Sequence, residues 1–142
     1  MRIERVTESD DALVEAVGRL LRQLSAQREP PGRAELEELA ASPGTTLFVA
    51  RDGDAIVGML TLILYRVPTG LRGFIHDVVV DESARGQGVG EALTREALGL
   101  AETAGARTVE LTARGEREAA NRLYRRLGFE LRKTNVYVWR PG

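Results

Sequence analysis

Apolar residues recur along the chain at two spacings, one typical of helices and one typical of strands. After a weakly alternating stretch at Arg2 to Val6, helical spacing begins behind Ser9 or Asp10 as the N-cap. Pro30-Pro31-Gly32 interrupts this pattern, and Ala34 to Ala41 predicts a second, short helix. The apolar positions of the first helix are Leu13, Val17, Leu20, Leu21 and Leu24.

The middle of the chain changes to the pattern of β-strands. Thr46 to Arg51 and Ala55 to Arg66 predict two strands, and the Asp52-Gly53-Asp54 step between them is a strong hairpin signal. Val67-Pro68-Thr69-Gly70 turns the chain into a third strand at Arg72 to Val80. These strands predict the antiparallel part of a sheet.

The second half alternates strands and helices. A glycine-rich stretch leads from the third strand into a helix, and Gly128 is placed to end the last helix. The predicted elements are helices at Val89 to Ala104 and Glu116 to Leu127, a strand at Thr108 to Thr112, and closing strands at Phe129 to Leu131 and Asn135 to Trp139. This order predicts an α+β, or mixed α/β, fold in a single domain over residues 1–142, with one strand-helix-strand crossover.

Length and charge narrow the class of protein. The chain has 142 residues, of which 43% are apolar and 29% charged, and a formal net charge of -1, as in an ordinary soluble globular domain. We therefore expect no nucleic-acid partner. The apolar runs are too short to span a membrane, and no signal-peptide pattern follows Met1, so we expect a cytoplasmic protein without a membrane partner.

The scarcity of cysteine and histidine excludes several chemistries. With no cysteine there is no thiol nucleophile, and with His76 as the only histidine we expect no metal site. A catalytic triad would have to use His76, yet its neighbour Asp77 should point to the opposite face of the strand. We therefore do not expect a covalent acyl-enzyme.

The stretch Arg85-Gly86-Gln87-Gly88-Val89-Gly90 has the features of an anion-binding loop. A helix N-terminus offers unpaired N–H groups and a partial positive charge, and glycines let a phosphate approach the bare backbone. Arg85 can add a charge-assisted contact, and Glu91 continues the helix behind the loop. We predict that the loop holds the diphosphate of a nucleotide cofactor.

Two common nucleotide motifs fit this loop poorly. An ATP-type P-loop needs Lys and Ser or Thr after its last glycine, where this chain has Glu91-Ala92. A dinucleotide fingerprint needs Gly or Ala at position 91 or 93, which are Glu91 and Leu93. Glu110 does lie where a ribose-binding acid would, so NAD binding stays open as an alternative.

Two separated motifs resemble those of the GNAT N-acetyltransferases. Arg85-x-x-Gly88-x-Gly90 after Val78-Val79-Val80 is similar to the acetyl-CoA signature of that family, and Asn121 to Phe129 is similar to its late Asn-x-x-Tyr-x-x-x-Gly-Phe element. Gly70 to Val80 also resembles glucosamine-phosphate N-acetyltransferases. Those enzymes have Glu-Asp where this chain has His76-Asp77, so the resemblance does not extend to their substrate.

The resemblance implies a fold, a cofactor and site residues. The fold is a central mixed, mostly antiparallel sheet flanked by helices, with a splayed strand pair that holds acetyl-CoA, and no metal. Tyr124 is implied as the general acid that protonates the coenzyme A thiolate. Asn121 lies one helical turn before it and is implied as a cofactor contact. The full set of implied cofactor-binding residues is Val78, Val79, Val80, Arg85, Gly86, Gln87, Gly88, Val89, Gly90, Glu91 and Asn121.

The acceptor side of the site is less determined. His76 is a candidate general base, with Asp77 and Glu110 behind it. The first two helices and the Arg66 to Gly73 turn should form the acceptor pocket, with Arg72 and Asp77 as substrate contacts. The resemblance implies an N-acetyltransferase that acts in a ternary complex on a small-molecule or protein-terminus amine.

Two further points stay open at this stage. A catalytically silent acyl-CoA-binding regulatory module would keep the same fold and is the alternative to an enzyme. Val136 to Trp139 could supply a sheet edge that pairs two copies in a homodimer.

Overall fold

The computed structural model describes residues 1–26 and 29–142, which form five strands and four α-helices. Contacts divide the chain into two compact units, Met1–Thr112 and Ala113–Gly142, which are described in turn. The elements of the first unit are β1 (Arg2–Arg5), α1 (Asp11–Leu24), α2 (Arg33–Ala41), β2 (Thr45–Asp52), β3 (Ala55–Val67), β4 (Gly70–Val80), α3 (Val89–Ala104) and β5 (Val109–Glu110). The second unit contains α4 (Glu118–Arg126).

The strands form one mixed, mostly antiparallel sheet in the order β1-β2-β3-β4-β5. The first four strands pair antiparallel with their neighbours, and β5 pairs parallel with β4 after the crossover through α3. The predicted hairpin between β2 and β3 is confirmed, and Gly53 adopts φ 61 in its turn. The predicted α+β class with one crossover is therefore correct.

Local signals fix the ends of the helices. The Asp10 side chain accepts a 2.8 Å hydrogen bond from the Leu13 N–H, so Asp10 rather than Ser9 is the N-cap of α1. Helix α3 has the predicted bounds, and Gly105 ends it with φ 86. No helix in the described ranges is both long enough and apolar enough to cross a membrane.

The core lies on both faces of the sheet. Helices α1 and α2 cover one face, where the buried cluster includes Leu20, Leu36, Val49, Met59 and Val79. Helix α3 packs against β2, β3 and β4 on the other face, since a Cβ placed on Gly58 of β3 would meet the side chains of Val89 and Leu93. The sheet is thereby sandwiched between helices.

The second unit departs from the sequence prediction. Helix α4 ends near Gly128, which has φ 98 as expected, but the strands predicted at Phe129 to Leu131 and Asn135 to Trp139 are wrong, because residues 129–142 form no strand. Their β-branched and aromatic residues favour strands, but a strand also needs a partner ladder, which sequence pattern cannot supply. The large apolar side chains of this segment are exposed, including Tyr137 and Trp139.

Candidate active site

The glycine loop lies between the end of β4 and the start of α3. Asp81 follows β4 and caps a short 3-10 helix at Glu82–Ala84. Gly86 and Gly88 then adopt left-handed φ values of 79 and 80, and Gly88 is the N-cap of α3. These angles explain why the loop needs glycine at both positions.

The loop fits a bound diphosphate. A Cβ built on Gly86 or Gly88 would meet no atom within 4 Å, so the space above the backbone is open. The Ala92 N–H donates to the Gly88 carbonyl at 3.0 Å, and the N–H groups of Val89 and Gly90 precede it, where helix geometry offers no intrahelical acceptor. The result is the amide surface that an anion requires.

A polar clamp from α1 holds the loop in place. Arg19 of α1 forms an ion pair with the buried Asp81 and donates from Nη2 to the Ile56 carbonyl at 2.9 Å. Gln23, one turn later, accepts a 3.0 Å bond from the Glu82 N–H. A hydrogen bond from the Ser83 N–H, together with the Ser83 hydroxyl and Arg19, holds the pKa of Asp81 below its ordinary value. Sequence analysis did not identify this clamp, because its members are about sixty positions apart.

Close packing of α3 on β3 positions the first turn of the helix. The distances from a Cβ on Gly58 would be 2.9 Å to Val89 Cγ1, 3.1 Å to Leu93 Cδ1 and 3.2 Å to the Val79 carbonyl. Only glycine allows this approach. An isolated glycine inside a predicted strand was the available signal, and sequence analysis did not use it.

Strand β4 has an irregular end with a free edge. Thr61 pairs with His76 and Met59 with Val79, so Asp77 and Val78 together lie opposite one residue of β3, and Asp77 has φ 52. This is a β-bulge, which bends the strand.

On its other side, β4 pairs with β5 at Gly73 and Phe74 alone, within residues 1–112. From Ile75 to Val80, β4 therefore lacks a ladder partner on this side. This edge lies where the family resemblance implies a splayed strand pair. Arg85 Nε donates to the Val80 carbonyl over a long 3.4 Å. The side chain of Arg85, a predicted cofactor contact, is therefore directed at this edge.

His76 and Asp77 are both exposed at the bulge. The His76 ring stacks near Phe74, with centroids 4.5 Å apart and planes 31° apart. The positive φ of Asp77 breaks the regular alternation assumed in the sequence analysis. Even so, in the part of the chain that the structure describes, no hydrogen bond joins the two side chains.

Arg72 is held by hydroxyl groups at the far end of β4. Its Nε and Nη2 donate to Thr69 Oγ1 at 3.2 and 2.9 Å, and its Nη1 donates to Thr108 Oγ1 at 2.9 Å. Arg72 and Asp77 lie five positions apart on the same strand. The two predicted substrate contacts therefore occupy different ends of β4.

Tyr124 and Asn121 belong to the second unit and lie on α4. Burial raises the pKa of the Tyr124 hydroxyl above its ordinary value, and the nearby charge of Arg117 opposes this only partly. The Tyr124 ring contacts Phe129 edge to face, with centroids 5.6 Å apart. A half-buried phenol with a raised pKa keeps its proton at neutral pH, which is the state that a general acid requires.

Asn121 has polar contacts inside the second unit. Its Nδ2 donates to the carbonyls of Arg114 at 2.9 Å and Arg117 at 2.7 Å. These bonds tie the start of α4 to the preceding loop and explain why asparagine is tolerated within the helix. Among the described residues its amide oxygen has no hydrogen bond that competes with a ligand.

No group of three or more acidic or histidine side chains is placed to hold a metal ion, as far as the described residues are concerned. The site residues outside α4 all lie in residues 1–112. They comprise the glycine loop, the free edge of β4 and the side chains of Arg72, His76 and Asp77.

Comparisons with known proteins agree with this geometry. Residues 14–129 match the model of the Acetyltransferase (GNAT) family. The chain is 35% identical over 111 residues to a mycothiol acetyltransferase of Beutenbergia cavernae, which covers 73% of this chain and 37% of that protein. It is 36% identical over 84 residues to N-alpha-acetyltransferase 30 of Schizosaccharomyces pombe, which covers 58% of this chain and 55% of that protein.

A solved structure gives the same fold over nearly the whole chain. An aminoglycoside acetyltransferase from an uncultured soil metagenomic sample superposes with a TM-score of 0.85 at 23% identity, covering 99% of this chain and 95% of that one. The chain spans about a third to just over half of the length of the two curated relatives above. Since the family model matches most of its residues, the chain belongs to the GNAT acetyltransferase family.

Proposed function

We propose that this chain is an acetyl-CoA-dependent N-acetyltransferase that transfers the acetyl group directly to a primary amine in a ternary complex. The observation that carries the proposal is the free edge of β4, which leads into the open glycine loop. An extended chain with a diphosphate at one end matches this arrangement. Membership of an acetyltransferase family supports it.

The cofactor-binding residues are proposed as follows. The amides of Gly86 to Gly90 hold the diphosphate, and Arg85 adds charge. Glu91 continues the helix behind them. The backbone groups of Val78 to Val80 pair with the pantetheine amides, and the Asn121 side chain supplies a further contact.

The chemistry divides between the cosubstrate and the protein. Acetyl-CoA supplies a thioester whose acyl carbon is attacked by the neutral amine, so that a C–N bond forms and the C–S bond breaks. Tyr124 donates its phenolic proton to the departing sulfur. The amine proton leaves to a base, for which His76, Asp77 and Glu110 are candidates. Because the chain has no cysteine, direct attack is favoured over an acyl-enzyme.

The acceptor is proposed to be an amine on a small molecule or at a protein terminus. The relatives have names of both kinds, a mycothiol acetyltransferase and an N-alpha-acetyltransferase. We propose that residues 1–142 act as a single N-acetyltransferase domain, which the family match across residues 14–129 supports. A cytoplasmic location stays a prediction.

Tyr124→Phe tests the proposed acid, with Tyr137→Phe as the matched control. The control removes the same hydroxyl from an exposed tyrosine in the same unit. Because the protein has no cysteine, a thiol reagent reports released coenzyme A without background from the protein. With a panel of primary amines and peptides, we expect Tyr124→Phe to lower kcat by about 100-fold or more. Its Kd for acetyl-CoA, measured by calorimetry, should change less than about twofold.

The pH dependence gives a second measurement. Tyr124 must be protonated to act, so its contribution is lost as pH rises through its pKa, which burial raises above the ordinary 10.0. We expect no loss of kcat from this group below that pH. Unchanged turnover in Tyr124→Phe would remove Tyr124 from the mechanism. Binding of acetyl-CoA with no thiol release from any amine would instead indicate a silent regulatory module.

A further inference from the structure

The sheet face formed by Ile63 and Tyr65 of β3 and Arg72, Phe74 and His76 of β4, here called the β3–β4 face, is open and unused by the core. These side chains alternate with the buried positions of both strands, and the register pairs Tyr65 with Arg72 and Ile63 with Phe74. On β3 and β4, the core cluster on this side of the sheet ends at Met59 and Val79, and Thr61, which pairs with His76, is also buried. Beyond it, His76 is exposed and Tyr65 is 36% exposed.

The face has an apolar middle. Ile63 and Phe74 are half-buried, and the His76 ring extends the Phe74 ring at 4.5 Å. Aromatic rings at this spacing give a flat surface on which an extended chain can lie. One edge of this surface is the free edge of β4, where the proposed transfer takes place.

The cation at one end of the face lacks a carboxylate partner. All three hydrogen bonds of the Arg72 guanidinium go to threonine hydroxyls, and among the described residues Arg72 takes part in no ion pair. A guanidinium has five N–H donors, so two remain. Thr69 and Thr108 hold the group in a fixed direction without neutralising it, which is the state that favours a carboxylate.

An acidic residue lies beside the middle of the face. Glu110 of β5 pairs in register with Phe74, and Val109 contacts the other face of the sheet beside Gly73, so Glu110 belongs to the same face as Phe74. Glu110 therefore lies beside the middle of the face, and His76 lies at the end opposite Arg72. The His76 end adjoins the free edge of β4, and the Arg72 cation lies at the other end.

The separation of the two ends selects the length of the ligand. His76 lies four residues after Arg72, and a strand rises roughly 3.3 Å per residue, so the ends are about 13 Å apart. A free amino acid is too short to bridge them. An extended peptide whose amine lies at the His76 end would bring the side chain of its fourth residue to Arg72.

We propose that the β3–β4 face binds an extended peptide acceptor, with the reacting amine beside His76 and an acidic side chain at the fourth residue held by Arg72. The inference rests on the proposed transferase, whose acetyl group would be delivered at the free edge of β4. It names the acceptor class and assigns Arg72 as the specificity-determining residue.

Peptides with one glutamate at each of positions 2 to 6 in an otherwise neutral sequence test the proposal. Turnover is followed by thiol release, and binding is followed by fluorescence anisotropy of peptides labelled at their C-terminus. We expect kcat/KM to be highest with glutamate at position 4, by about tenfold over the neutral peptide. Arg72→Gln should abolish this preference, so that the peptide with glutamate at position 4 and the neutral peptide have the same kcat/KM.

Two matched variants separate recognition from folding. Arg66→Gln removes the same charge from the same hairpin, but alternation places Arg66 on the opposite face, so the preference should remain. Arg72→Glu should reverse the preference in favour of a peptide with lysine at position 4. A merely structural arginine would not produce that reversal.

The outcomes distinguish this proposal from the proposed function. Acetylation of peptides without a positional preference, or with one that survives in Arg72→Gln, would overturn the anion site while the transferase stands. So would small amino acids used as well as the acidic peptides. A position-4 preference in binding, without thiol release from any amine or peptide, would overturn the transferase and keep the peptide site.

Discussion

At the residue scale, the loop depends on two glycines whose backbone angles are left-handed. Gly86 and Gly88 have φ 79 and 80, yet a Cβ at either would meet no neighbouring atom. A substitution there is therefore resisted by backbone conformation and by the ligand that approaches, and not by packing within the protein. Stability and binding can be separated on this basis.

Gly88→Ala is expected to weaken acetyl-CoA binding more than it weakens the fold, with Gly53→Ala as the control. Gly53 has φ 61 and equally open space, but it lies in the hairpin between β2 and β3. Each variant should lose about 1–2 kcal/mol of unfolding free energy, because alanine is strained in this conformation. Only Gly88→Ala should raise the KM for acetyl-CoA, by about tenfold, or roughly 1.4 kcal/mol.

The measurements are urea unfolding and initial rates at varied acetyl-CoA. A KM that stays at the value of the unsubstituted protein in both variants would mean that the loop backbone does not contact the cofactor. A KM that rises in both would point to a general effect of destabilisation.

At the residue scale, the sequence predicted the roles of single residues better than it predicted which distant residues contact each other. The N-cap Asp10 and the loop glycines follow from local rules, and the structure agrees with them. The Arg19–Asp81 ion pair joins residues distant in sequence, so no local rule could find it. The positive φ of Asp77 also went unpredicted, since aspartate only tolerates that conformation and does not require it.

At the scale of elements, predictions succeeded where periodicity and end signals agreed. Helix α3 has the predicted bounds because Gly88 and Gly105 mark both of its ends. The closing strands failed because β-propensity at Asn135 to Trp139 says nothing about a partner. Strand β5 is also shorter than the predicted strand at Thr108 to Thr112, because its pairing with β4 covers only Val109 and Glu110. A local sequence pattern cannot show where such pairing stops.

Two glycine-to-alanine changes, one at the contact between α3 and β3 and one at an open position of α3, are expected to have opposite effects on stability. A Cβ on Gly58 would lie 2.9 Å from Val89 Cγ1 and 3.2 Å from the Val79 carbonyl, so Gly58→Ala should cost about 1–3 kcal/mol of stability. Gly99 lies inside α3 with open space around its Cβ position. Gly99→Ala should therefore stabilise the protein by about 0.5–1 kcal/mol.

Thermal and urea unfolding measure whether each variant loses or gains stability. Initial rates measure whether the KM for acetyl-CoA changes. Gly58→Ala pushes the first turn of α3 away from the sheet, so it should also raise the KM for acetyl-CoA, whereas Gly99→Ala should not. A neutral Gly58→Ala would show that the helix does not need this close approach.

At the scale of the whole molecule, the family model covers every residue to which a role is proposed. The glycine loop and the free edge of β4 belong to residues 1–112, whereas Asn121 and Tyr124 belong to residues 113–142. The family model spans residues 14–129 and includes all of them. Pairing of two copies through Val136 to Trp139 stays a prediction. In this structure the segment is exposed and forms no strand.

The amino-acid composition of the chain predicts the pattern of initial rates when both substrates are varied. Direct transfer requires acetyl-CoA and amine to be bound together, so initial rates at varied concentrations of both should give intersecting lines. An acyl-enzyme would give parallel lines, but it needs an activated nucleophile. The chain has no cysteine and one histidine.

Intact mass measurement after incubation with acetyl-CoA alone gives an independent check, and we expect an unchanged mass. Lys133→Arg serves as the control, because it removes the only lysine, and peptide mapping distinguishes chemical acetylation of the N-terminal amine from acetylation of another side chain. Parallel lines together with an acetylated Lys133→Arg protein would contradict direct transfer. Intersecting lines with an unmodified chain would leave the amine itself as the nucleophile, so that the choice of acceptor rests on the surface that holds the amine and not on a relay residue.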